Sequence, residues 1–68
     1  MAQNDLRGRI EALEAEERDF LKLHKQLEAE YERTGFAAVR QRASAALNEA
    51  QKRRARVAEL RKKERGSN

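Results

Sequence analysis

The chain has 68 residues, enough for one domain at most, and a domain this short buries only about 60% of the surface its unfolded chain exposes. It has no cysteine and one histidine, which excludes disulfides, thiolate zinc sites and any multi-histidine metal site within a single chain. Charged residues make up 41% of the sequence, proline is absent and the net charge is +4. Such a chain, rich in the strong helix formers Ala, Glu, Leu, Lys, Arg and Gln, is either a long helix or disordered, and the spacing of its apolar residues decides which.

The N-terminal stretch from Met1 to Ile10 lacks an apolar signal core, and no apolar run approaches the ~20 residues of a membrane span. The expected location is therefore the cytoplasm. From Leu6 onward, alternate steps of four and three visit Leu6, Ile10, Leu13, Glu17, Phe20, His24, Leu27 and Tyr31, and six of these eight positions are apolar. This stripe predicts a helix over about 4–33. Continued, it meets Thr34, Ala38, Gln41, Ala45 and Asn48, a poor seam. A second stripe restarts out of phase at Phe36 and runs through Val39, Ala43, Ala46, Ala50, Arg53, Val57 and Leu60. It predicts a second helix over about 36–64, followed by a fraying tail at 65–68. Between them, Gly35 suits the left-handed residue that ends a helix and Thr34 can cap the next one. The alternative is one continuous helix of about 60 residues. A glycine costs only about 1 kcal/mol inside a helix, so the phase break is the stronger argument for two.

The predicted fold is all-α, an antiparallel two-helix hairpin. Folding at 34–35 brings together residues whose numbers add to about 70. Tyr31 meets Val39, Leu27 meets Ala43, His24 meets Ala46 and Phe20 meets Ala50. Leu13 meets Val57 and Ile10 meets Leu60. Glu17 falls opposite Arg53, which predicts a polar layer in the seam beside His24, with His24 bonded to Glu28 or Glu17. Residues 1–33 carry six basic and nine acidic groups, and residues 34–68 carry ten and three, so an acidic helix lies along a basic one. Near the tip this predicts the pairs Glu30–Arg40 and Glu28–Arg42.

Two helices make a marginal core, and oligomerisation is the support the composition leaves open. Leu23 and Leu47 flank the seam and, with Leu27, Tyr31 and Phe36, form a candidate second interface. The expected partner is a second copy, giving a four-helix bundle, or a different protein. Tyr31, Gly35 and Phe36 at the tip are expected to form either a hydrophobic staple that closes the turn, the preferred reading, or an exposed contact knob. The architecture resembles the plasmid-encoded RNA-binding hairpin that dimerises into a four-helix bundle. That likeness is of fold only, with no shared motif, and carries no function.

The basic run near the C-terminus is the main competing signal. Lys52, Arg54, Arg56, Arg61 and Lys62 are candidate phosphate contacts. They are spread around the helix, no aromatic residue interleaves them for stacking, and no nucleic-acid-binding motif is present. A membrane-surface role needs bulky apolar residues opposite the basic face, where this helix has alanines. Ser44 and Ser67 lack a neighbouring base and there is no glycine-rich phosphate loop. No catalytic, metal or cofactor residue and no small-molecule substrate is expected. The leading expectation is a non-enzymatic interaction or assembly module. The alternative is a nucleic-acid-associated regulator contacting phosphates through the second helix, and steep salt dependence would distinguish it.

Overall fold

The computed structural model describes residues 2–66. Helix α1 spans Ala2–Thr34 and helix α2 spans Ala37–Gly66. They lie against each other as a hairpin measuring 51 × 14 × 12 Å. Both helices run one or two residues beyond the predicted bounds, α1 at both ends and α2 at its C-terminus, where Arg65 and Gly66 are helical. Ser67 and Asn68, the rest of the predicted tail, lie outside the described residues.

The turn follows from three neighbouring residues. Gly35 has φ of 69°, and its N–H donates to the Tyr31 carbonyl at 2.7 Å, closing α1 with a left-handed residue. The Thr34 hydroxyl donates to the Glu30 carbonyl at 3.0 Å and accepts the Phe36 N–H at 3.3 Å. Thr34 thus belongs to α1 and ties the turn together. It does not cap α2 as predicted. The capping position is held by Phe36, whose carbonyl accepts the Val39 and Arg40 N–H groups at 3.0 and 3.3 Å.

Nothing lies within 4 Å of a Cβ added at Gly35, so Gly35→Ala carries only backbone strain. It should destabilise the hairpin by about 1–2 kcal/mol, and Gly35→Asn by less, as read from urea midpoints. Phe36 offers no side-chain acceptor to the first turn of α2, which also lacks an acidic residue. Phe36→Asp should supply both the cap and the dipole partner and stabilise the isolated hairpin by about 1 kcal/mol.

The seam has the predicted register. On α2, Val39, Ala43, Ala46, Ala50, Val57 and Leu60 are buried. Ile10, Val57 and Leu60 form the core at the open end, with Leu6 and Leu13 packed against it. The two helices contribute unequally. Among the described residues of α1 only Ile10 is buried, while Leu13, Phe20, His24, Leu27 and Tyr31 are half-buried. The alanines of α2 let the backbones approach, so the bulky side chains of α1 lie across them and emerge on both shoulders of the seam. Phe36 departs from the expected stripe. It is 64% exposed, because its capping position precedes the helical turn that would carry it to the seam.

Candidate protein interface

Successive helical residues turn by about 100°. In an antiparallel pair, the residue following a seam position points to the same side of the hairpin on both helices. The hairpin therefore has two shoulders with different chemistry.

The first shoulder carries His24. Its Nδ1–H donates to the Ala43 carbonyl of the other helix at 2.7 Å, and its Nε2 lies 3.1 Å from Glu28 Oε1. The predicted partner Glu28 is present, and the cross-helix carbonyl adds a second tie. A shallow groove here is lined by His24, Glu28, Tyr31, Arg40, Ala43 and Leu47. Nearer the open end, Arg61 Nη2 meets Glu14 Oε2 at 2.5 Å. The predicted tip pairs do not form. The Arg40 guanidinium lies 5.7 Å from the centre of the Tyr31 ring, and Glu28 is engaged one turn back along its own helix by His24.

The second shoulder carries Arg53. Glu17 is level with Arg53, but it lies one heptad before His24 and leans toward the His24 shoulder, whereas Glu16, just before it, lies on the Arg53 shoulder. Arg53 Nε instead donates to Glu16 Oε1 at 3.1 Å, Nη1 contacts Glu49 on its own helix, and the guanidinium lies over the Phe20 ring, 4.8 Å from its centre. The hydrogen bond to Glu16 is the main reason the guanidinium is held above its ordinary pKa, against the opposing effect of desolvation. A long side chain that leaves the seam keeps its charge solvated, which a buried Glu17–Arg53 layer would forfeit. Glu17 is half-buried and makes no ion pair among the described residues. A double-mutant cycle is expected to give measurable coupling between Arg53 and Glu16 and none between Arg53 and Glu17, with thermal unfolding as the readout.

The same geometry separates the proposed interface leucines. Leu23 precedes the seam position His24 and Leu47 follows the seam position Ala46, so they lie on opposite shoulders. Leu47 lines the His24 groove and Leu23 does not. Leu23, 41% exposed, belongs with half-buried Phe20 and Leu27 on the Arg53 shoulder. Leu21 was not anticipated. It follows Phe20, lies on the His24 shoulder with Leu47, and is 37% exposed. Its position immediately after a seam residue was the signal available for it.

The basic residues of α2 form no continuous track. Arg61 is held by Glu14, Arg56 by Glu59 at 3.0 Å, and Lys52 lies 3.8 Å from Glu49. Arg54 and Lys62 make no ion pair among the described residues, but Arg54 sits on the His24 shoulder and Lys62 on the outer face. Among the described residues, no group of three or more His, Asp or Glu is placed to hold a metal ion, and no helix is long and apolar enough to cross a membrane.

Comparison with known protein families, curated proteins and solved structures finds no match to this chain. Architecture and surface chemistry carry the functional reading.

Proposed function

We propose that this protein is a non-enzymatic assembly module, a helical hairpin that self-associates into a four-helix bundle. The observation that carries this reading is unfinished burial. The hairpin exposes 5593 Å², whereas a compact monomer of 7.9 kDa exposes about 4,400 Å². Its radius of gyration is 15.5 Å, against about 11 Å for a compact domain of 68 residues. The excess of about 1,200 Å² exceeds the ~800 Å² each partner contributes to a standard interface. A second hairpin laid along the first would cover that area and bury the half-exposed side chains of α1.

The chemistry supports binding over catalysis. His24 is engaged by Ala43 and Glu28, and the grooves beside it are shallow and open. Three of the five candidate phosphate contacts already face carboxylates, which weakens the nucleic-acid alternative.

Thermal unfolding over a concentration series tests the proposal. Dimer stability should rise by about 1.4 kcal/mol per tenfold increase in concentration, so the midpoint should climb, and the climb should persist in high salt. A cooperative midpoint independent of concentration would overturn it.

A further inference from the structure

We infer that His24 and Glu28 form a chelating site for one divalent ion of the zinc, cobalt or nickel class, held on the His24 shoulder by a single hairpin. The inference is independent of self-association, because both ligands lie on α1 of one chain.

The first argument is a count of hydrogen-bond donors. His24 Nδ1 lies 2.7 Å from the Ala43 carbonyl oxygen, and Nε2 lies 3.1 Å from Glu28 Oε1. Both partners are acceptors. A neutral imidazole has a single N–H, and the shorter contact, to Ala43, takes it. Nε2 then turns its lone pair toward a carboxylate oxygen, and two acceptors face each other across 3.1 Å. Only a cation between them satisfies both. A proton is one such cation, but N–H···O bonds between charged groups close to about 2.7–2.9 Å. The observed separation suits a metal ion. With each ligand atom about 2.1 Å from the ion, the pair subtends about 95° there, between the octahedral and tetrahedral angles.

The second argument is the setting of the ring. Metal-bound histidines donate their other ring N–H to a carboxylate, a carbonyl or water, which fixes the tautomer and the ring orientation. The Ala43 carbonyl has that role here, and it comes from the opposite helix. Residues four apart share a helical face, the spacing that helical zinc sites use. The His24 side chain is 17% exposed and that of Glu28 is 61% exposed, so the ring is held by packing while its open side admits an ion with bound water. Glu32 lines the same groove one turn beyond Glu28 and adds negative charge. Arg40 lines it from α2 and opposes a cation, but its guanidinium lies over the Tyr31 ring. Among the described residues no third His, Asp or Glu is placed to join the pair, so water completes the coordination. The imidazole nitrogen selects zinc, cobalt or nickel over magnesium and calcium, which take oxygen ligands.

Zinc chloride added to the full chain tests the inference by calorimetry and thermal unfolding. At free zinc about ten times its Kd, the folding equilibrium constant should rise about tenfold, and magnesium at the same concentration should leave it unchanged. Glu28→Ala removes an exposed side chain and should weaken zinc binding at least about tenfold, with circular dichroism confirming that the hairpin is intact. His24→Gln should abolish binding, and Glu32→Ala should weaken it less than about threefold. Cobalt chloride gives a second readout, a visible absorption band present in the wild type and absent in His24→Gln. No heat and no midpoint shift at millimolar zinc would assign the gap to a proton and overturn the inference. So would a zinc response that persists in His24→Gln, or one undiminished in Glu28→Ala, which would leave a histidine binding without its chelate partner.

Discussion

Replacing Leu60 by alanine is expected to destabilise the protein by about 2–5 kcal/mol, the range for emptying a buried leucine site. Leu60 is 3% exposed and forms the open-end core with Ile10 and Val57. That end lies farthest from the turn, so nothing covalent holds the helices together there. A cavity at Leu60 therefore removes much of the force joining the last three turns of α2 to the first turns of α1. Small domains have little stability in reserve, and Leu60→Ala should lose most of its helical circular dichroism on mild heating. The urea slope should also fall, because the ends would already be open in the native state. A loss below about 1 kcal/mol would mean that the open-end cluster contributes far less than its burial indicates.

The second large effect has the opposite steric sign. Ala50 is 2% exposed, the most buried of the core residues, and it sits at the level where Phe20 crosses from α1. Ala50→Leu inserts three carbons at a buried position between the helices, and overpacking of this kind costs about 1–3 kcal/mol. Leucine and alanine are both strong helix formers, so propensity does not confuse the comparison. Ala55 is exposed on the outer face of the same helix, and Ala55→Leu should be within about 0.5 kcal/mol of wild type. Urea midpoints of the two variants separate cleanly if the alanine seam sets the distance between the helices. Equal midpoints would show that α1 and α2 do not touch at Ala50.

The residues that were legible in the sequence are those that obey a single periodicity. Leu13 with Val57 and Ile10 with Leu60 follow from the two stripes and the phase break at Thr34–Gly35, and the cluster at the open end has that register. Gly35 was readable for the same reason, since few other residues tolerate a φ of 69°. Level, however, does not specify side. Glu17 with Arg53, and Leu23 with Leu47, were matched by level alone. Each of these pairs is divided between the two shoulders by the 100° step and the reversed direction of α2. His24 with Glu28 was legible because four residues apart on one helix fixes both level and side. Phe36 was misplaced because a capping residue has left the helical geometry that the stripe assumes.

Sedimentation equilibrium of the wild-type chain at micromolar concentration tests the central claim most directly. Self-association through the incompletely buried helices predicts a species of twice 7.9 kDa that persists in high salt. A folded, fully helical species of 7.9 kDa across the whole concentration range would contradict it.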